Sequence, residues 1–210
     1  MKITDSLYVL PIGTTLAGNP MILGHRLILD EQNGPALVDA GGPVEALEAA
    51  LGEAGVKLAD LRHLILTHQD LDHPGSAAAI VGASNAKVLA PAADAPHING
   101  THKWLKTPPP QALEQFPPQI RAVIEKGAEP VTIDQLLQGA EILDLAGGVG
   151  VIFTPGHTPG HISLYLEKDK VLIAADAITA EDGQVRPPSA GGTLSQFSDF
   201  CRPGRQQNIR

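Results

Sequence analysis

Cysteine and aromatic residues are both scarce in this chain. The single cysteine, Cys201, excludes an internal disulfide framework. Aromatic residues make up 3% of the chain and the net charge is -8, so base-stacking platforms and a basic nucleic-acid footprint are not expected. No apolar run reaches the roughly 18 residues that a membrane helix needs. The N-terminal MKITDSLYVLPIG lacks the sustained apolar stretch of a signal peptide, so we expect a cytoplasmic protein with neither nucleic-acid nor membrane partners.

The composition, with 43% hydrophobic and 18% charged residues, is typical of a globular domain. Short apolar runs bounded by turn residues predict strands in ITDSLYVLPI, MILGHRLILD, ALVDAGG, LRHLILT and AKVLAP. Pro43 suits the first position of a helix, and Ser76 is expected to cap a second helix. The first half of the chain therefore predicts alternating β and α elements.

The second half repeats part of this pattern. AEILDLA, VGVIFTP, HISLYLE and KVLIAADA predict strands, with EKDK forming the turn between the last two. LILTH and VIFTPGH both run from a strand through threonine to histidine, which suggests two related halves. Between them, residues 98–130 are proline-rich, with a helix expected around Ile120 to Glu125. This excursion either covers a site or is a loop without a role.

The stretch T-H-Q-D-L-D-H-P-G places four potential metal ligands in one loop between a strand and a helix. His68 and Asp70 are two positions apart and can chelate one ion if the backbone is extended. Asp72 and His73 can turn towards a second ion. The alternative is a polar turn that caps the following helix, since aspartate is common there.

Two further strand ends favour the metal interpretation. T-P-G-H-T-P-G-H, residues 154–161, holds His157 at the apex of a rigid loop, whereas His161 begins the next strand and is expected to be structural. Asp176 ends a fully apolar strand, where a carboxylate is costly unless it is paired or metal-bound. Three strand ends that carry His and Asp predict a metal site.

These motifs resemble those of the metallo-β-lactamase superfamily, and the resemblance runs over about residues 5 to 188. It implies an α/β fold, the αβ/βα sandwich, within a domain of residues 1–190 that includes the excursion. It implies a dinuclear site: His68, Asp70 and His157 in the first position, Asp72 and His73 in the second, and Asp176 as the bridge. It further implies that three residues support the ligands without binding metal, namely Asp39, Thr67 and Thr158.

Two departures from the family pattern affect these expectations. Asp70 stands where the usual motif has its second histidine, so zinc is expected but iron or manganese is better tolerated than usual. No histidine follows His161, so the second site lacks its usual final ligand. The C-terminal helices are expected to be shortened or missing, and residues 191–210 form an atypical polar tail. Since HISLYLE and KVLIAADA imply cover on both faces, we expect self-association through the uncovered sheet face.

The leading functional hypothesis is a hydrolase in which metal-activated water attacks the carbonyl of a small ester, lactone or thioester. Asp72 would orient the water or take up its proton, and Trp104 and Phe116 would form a substrate wall. Thr179 stands where superfamily acyl-homoserine lactonases have tyrosine, which disfavours that activity. The alternatives are a catalytically impaired fold member and a non-haem iron redox enzyme.

Overall fold

The computed structural model describes residues 1–16, 19–181 and 184–186. Its larger sheet has six strands in the order of the chain, β1 to β6. The first three strands pair antiparallel, whereas the third to the sixth pair in parallel. The strands are β1 (Leu7–Leu16), β2 (Asn19–Ile28), β3 (Ala36–Val38), β4 (His63–Ile65), β5 (Lys87–Pro91) and β6 (Gln135–Leu137).

A second sheet of four antiparallel strands has the order β10-β9-β8-β7. Its members are β7 (Ile142–Leu143), β8 (Val149–Phe153), β9 (Ile162–Leu166) and β10 (Val171–Ile173), and a separate hairpin joins β11 (Thr179–Glu181) to β12 (Gln184–Arg186). The helices are α1 (Val44–Glu53), α2 (Ala77–Ser84), α3 (Ala95–Ile98), α4 (Pro110–Leu113) and α5 (Pro118–Lys126). Short 3₁₀ turns span Leu58–Asp60 and Ala175–Ala177.

The central parallel strands are buried on both faces, because successive side chains point to opposite sides of a strand. In β4, Leu64 packs into a cluster with Leu47 and Leu51 of α1. The next residue, Ile65, belongs to a second cluster with Val151 and Leu164 of the other sheet. The molecule is therefore layered as helices, first sheet and second sheet. Each fully buried leucine or isoleucine stabilises this arrangement by about 1.5–3 kcal/mol.

The sheets confirm the predicted mixed α/β sandwich, with local differences. Ser76 precedes α2 as expected, but its hydroxyl accepts no N–H of the helix and instead donates to the carbonyl of Gly42, so it joins two loops. KVLIAADA is strand only as far as Ile173, and Asp176 lies in the 3₁₀ turn that follows. The strand β6 was not predicted, since its sequence QLL is too short for a period to show.

The predicted tail, residues 191–210, lies outside the described residues. Within the described part of the chain no α-helix follows Lys126, and none has the length and apolar character needed to cross a membrane. Self-association through the second sheet stays a prediction.

Candidate metal centre

The parallel strands of the first sheet all end at the same edge, and polar residues follow three of them. Asp39 comes directly after β3, His68 three residues after β4, and Asp94 three residues after β5. The second sheet adds His157 from the loop after β8 and Asp176 from the turn after β10. Loops at strand ends have firmly held bases, so side chains that are distant in sequence converge where the two sheets meet.

Five of the predicted ligands form two donor groups that share one carboxylate. The first donor group is His68, His157 and Asp176, and the second donor group is Asp72, His73 and Asp176; the ligand atoms of each lie within 4.8 Å of one another. Asp176 faces the first group with Oδ2 and the second with Oδ1. This places Asp176 between the two groups, as a bridging ligand would be.

The spacing of these atoms fits a metal ion. Asp176 Oδ2 lies 3.4 Å from His157 Nε2 and 3.9 Å from His68 Nε2. In the second group, His73 Nε2 lies 3.5 Å from Asp176 Oδ1 and 3.8 Å from Asp72 Oδ2. Tetrahedral zinc with bonds of about 2.1 Å separates neighbouring ligand atoms by about 3.4 Å. The groups therefore need only small closing movements to hold an ion.

In His68 and His73, a contact at Nδ1 orients the ring so that Nε2 points to the donor groups. Thr67 Oγ1 lies 3.0 Å from His68 Nδ1 and donates to Asp39 Oδ2 at 2.9 Å, so it can accept a hydrogen bond from the Nδ1–H of His68. His73 Nδ1 lies 2.9 Å from Asp39 Oδ2. The opposite nitrogen of His68, Nε2, is buried and has no hydrogen-bond partner among the described residues. A buried acceptor of this kind suits a metal ligand.

Asp39 and His73 form a buried ion pair. Burial raises the pKa of Asp39, but the charge of His73 and hydrogen bonds from His73 and Thr67 outweigh it and hold the pKa well below its usual value. Burial lowers the pKa of His73, yet Asp39 and Asp176 together raise it well above its usual value. Asp39 also has a φ of 64°, a conformation that non-glycine residues rarely adopt, and such strain clusters at functional sites.

Asp70 is placed differently from the other predicted ligands, because both of its oxygens have protein partners. Oδ1 accepts from Gln69 Nε2 at 2.9 Å and from Trp104 Nε1 at 3.3 Å. Oδ2 contacts Lys106 Nζ and lies 2.8 Å from His157 Nε2. Burial opposes ionisation of Asp70, but contacts with His157, His68 and Lys106 hold its pKa far below the usual value.

Trp104 and Lys106 belong to the proline-rich excursion, which therefore reaches the donor groups. Trp104 also lines a cavity of about 560 Å³ between the excursion and the His68–His73 loop, together with Gln69, Leu71 and Leu113. Phe116, the other residue predicted for a substrate wall, does not line this cavity, and the residue is 40% exposed.

Asp94 is a positioning residue that the sequence did not reveal. Its buried carboxylate accepts from Gln69 N at 3.0 Å, from Thr158 Oγ1 at 2.6 Å and from Gly160 N at 2.7 Å. It thus joins the loop that carries His68 to the loop that carries His157. The backbone approach is close, since a Cβ on Gly160 would lie 2.6 Å from Asp94 N. The only sequence signal was an aspartate shortly after a buried strand.

His161 is structural, as the sequence predicted. Its Nδ1 lies 2.8 Å from Thr154 Oγ1, and its Nε2 accepts from the backbone N–H of Asp176 at 3.1 Å. Burial, with the nearby His68, lowers the pKa of His161 to about 3, so the ring is neutral and fixes the turn that carries Asp176.

The remaining histidines lie outside both donor groups. His25 is buried and lies 2.9 Å from the carbonyl of Gly41, so it supports the loop after β3. His63 begins β4, and His97 and His102 lie in or beside the excursion with their rings 5.5 Å apart.

Comparison with known sequences agrees with this architecture. A family model described as the metallo-beta-lactamase superfamily matches residues 27–200. The YobT protein of Bacillus subtilis, named as uncharacterized, is 31% identical over 163 residues, which cover 74% of this chain and 62% of the length of YobT. The hydroxyacylglutathione hydrolase GloC of Haemophilus influenzae is 30% identical over 155 residues, 72% of this chain and 65% of its own. This chain thus spans less than two thirds of either relative.

Solved structures share the fold. A metallo-beta-lactamase family protein of Thermus thermophilus, TTHA1429, has a TM-score of 0.71 over 94% of this chain and 67% of its own, at 24% identity, which shows the fold alone. A Cronobacter sakazakii metallo-beta-lactamase with a HARLDQ motif, as its S60 mutant, has a TM-score of 0.54 at 27% identity and covers 68% of this chain and 50% of its own.

Proposed function

Because this chain belongs to the metallo-β-lactamase superfamily, we propose that it is a metal-dependent hydrolase of a small ester, lactone or thioester. The observation that carries the proposal is the pair of donor groups that share Asp176, with His68 Nε2 buried and unpartnered among the described residues. A neutral imidazole and a bridging carboxylate in this arrangement are the ligands of hydrolytic metal centres.

The donor set indicates which residues would hold the metal. His68, His157, Asp70 and Asp176 would hold a first ion, and Asp72, His73 and Asp176 a second. Mixed nitrogen and oxygen donors suit zinc, and the carboxylate of Asp70 also makes iron or manganese acceptable. A bound ion would lower the pKa of water and polarise the substrate carbonyl.

The chain's own residues would then position the reactants. Asp72 has the most exposed carboxylate of the cluster, with its side chain 46% accessible, so it can orient the attacking water and accept its proton. Asp39 and Thr67 keep the free nitrogens of His73 and His68 directed at the ions. The indole of Trp104 forms a wall beside Asp70, against which the substrate would lie.

The relatives favour carbonyl substrates of two kinds. One relative is named hydroxyacylglutathione hydrolase, which supports a thioester. Another, from Bacillus cereus, is named N-acyl homoserine lactonase and is 26% identical over 193 residues, which supports a lactone. Thr179, in place of the tyrosine expected for such lactonases, makes the thioester the preferred candidate.

The test measures bound metal and hydrolysis on the same preparation. The protein, purified without added metal, is assayed by elemental analysis and then with an acyl-glutathione thioester, an N-acyl homoserine lactone and a chromogenic β-lactam. We expect zinc-dependent thioester hydrolysis that a chelator abolishes. Asp72→Asn is expected to lose at least 100-fold in kcat, since general acid–base groups contribute about that much. Asp144→Asn, which alters an exposed aspartate outside both donor groups, is the matched control.

Other outcomes would favour the alternatives. Two bound zinc ions without hydrolysis of any substrate would indicate a catalytically impaired member of the fold. Bound iron with visible absorbance and no hydrolysis would indicate redox chemistry.

A further inference from the structure

Lys106 brings a positive charge into the first donor group. Its Nζ contacts Asp70 Oδ2 and lies 2.9 Å from His157 Nε2. These two atoms face the other ligands, since Asp70 Oδ2 is 3.7 Å from His68 Nε2 and His157 Nε2 is 3.4 Å from Asp176 Oδ2. The ammonium thus occupies two atoms, Asp70 Oδ2 and His157 Nε2, that a metal ion held by Asp70 and His157 would need.

The ammonium and a metal ion compete for these two atoms. His157 Nε2 carries either one hydrogen or one free lone pair, so while it binds a metal ion it can neither donate to Asp70 nor accept from Lys106. A divalent ion about 2.1 Å from Asp70 and His157 would also repel an ammonium that contacts the same two atoms. Metal uptake at the first donor group therefore requires Lys106 to leave.

Asp70 also holds the segment that carries the lysine. Its Oδ1 accepts from Trp104 and from Gln69, and Gln69 Oε1 in turn accepts the backbone N–H of Leu105 at 3.1 Å. A histidine at position 70, as in the usual family motif, would offer Lys106 no carboxylate. Asp70 and Lys106 therefore form a matched pair.

We propose that Lys106 is a displaceable resident cation of the first donor group, and that metal binding at this group expels its ammonium. The inference rests on the metal centre of the proposed function but not on its hydrolytic reaction. It explains why a carboxylate replaces a histidine here: Asp70 serves Lys106 in the metal-free protein and the metal in the loaded protein.

The first test measures zinc affinity by competition with a chromophoric chelator, in the full chain and without substrate. Lys106→Met removes the ammonium and keeps most of the aliphatic side chain. We expect it to bind one of its zinc equivalents at least tenfold more tightly than the wild type. Lys103→Met is the matched control, since Lys103 lies on the same segment, is exposed and makes no ion pair within the described residues; its zinc affinities should be unchanged.

A second measurement uses the unaltered protein, so that it does not depend on the folding of a variant. Lysines are acetylated for short times with and without zinc, and each peptide is quantified by mass spectrometry. The acetylation rate of Lys106 is expected to rise at least threefold on zinc loading, while that of Lys103 stays constant.

The outcomes separate this inference from the proposed function. Equal zinc affinities in the wild type and Lys106→Met, or equal acetylation of Lys106 in both states, would overturn the resident cation and leave the hydrolase intact. Tighter zinc binding by the variant without any hydrolysis would support the inference while the hydrolase fails. Absence of zinc binding in both proteins would overturn both.

Discussion

Replacement of Asp94 by alanine tests whether one buried carboxylate aligns the two histidine-bearing loops. Three donors, the N–H groups of Gln69 and Gly160 and the hydroxyl of Thr158, would lose their acceptor. Each unsatisfied buried donor costs about 1–3 kcal/mol. Water entering the space left by the side chain recovers part of this, so we expect a loss of about 3 kcal/mol in the free energy of unfolding.

The same change is expected to weaken metal binding. His68 and His157 stay in the chain, but the three hydrogen bonds that tie their loops together through Asp94 are lost. Loss of such an outer hydrogen-bond partner typically costs 10- to 100-fold in metal affinity. Urea denaturation of the metal-free protein measures the first effect, and zinc competition with a chelator measures the second.

Asp30→Ala provides a matched control. The Asp30 carboxylate also accepts hydrogen bonds from three backbone N–H groups, those of Gln32, Asn33 and Ala146. Asp30 follows β2 and lies near the start of β3, whereas the candidate site lies beyond the end of β3. We expect it to destabilise the protein without a change in zinc affinity. If Asp94→Ala binds zinc as tightly as the wild type, Asp94 contributes stability alone and the alignment argument is wrong.

Three further predictions address the neighbouring residues. Gly41→Ala would place a Cβ 1.8 Å from the carbonyl oxygen of Asp72, so we expect more than 2 kcal/mol of destabilisation and weaker zinc binding; an unaltered melting temperature would contradict this. Thr67→Val removes the hydroxyl beside His68 and should lower zinc affinity about tenfold, whereas Thr67→Ser should retain it. His161 has its pKa lowered to about 3, so the unfolded chain binds its proton more readily; the metal-free protein should lose up to about 1.4 kcal/mol per pH unit from this ring as the pH falls from about 6.5 to 3. Urea titrations at several pH values should show a shallower loss in His161→Gln, and an identical slope would refute the assignment.

The parts of the fold that could be predicted are those with a local signal. Strands β1 to β5, β8 and β9 are apolar runs bounded by turn residues, and α1 and α2 follow residues suited to helix starts. β6 has three residues and two of them are exposed, so no pattern distinguished it from a loop. Its place in the sheet depends on pairing with β5, which is a long-range contact.

The candidate site divides in the same way. Five candidate ligands could be predicted from the residue types at the strand ends: His68, Asp72, His73, His157 and Asp176. Clustered imidazoles and carboxylates next to apolar strands are costly unless they are paired or bind metal. Asp94 looked like any loop aspartate, and the hydroxyl of Ser76 looked like a helix cap. Asp94 accepts hydrogen bonds from, and Ser76 donates one to, loops that are far apart from them in the chain.

The sequence by itself determined the order of most strands and the chemical types of the donor atoms, since these follow from periodicity, turn chemistry or a short motif. The sandwich was expected only from the resemblance of those motifs to a known family. Only the tertiary structure decided which atoms meet: Asp176 between two donor groups, Asp94 between two loops, and Lys106 on Asp70. Several of those contacts join residues that are far apart in the chain, since 36 positions separate Lys106 from Asp70 and 64 separate Thr158 from Asp94. They depend on the pairing of the strands and the packing of the two sheets, which no local pattern of residues encodes.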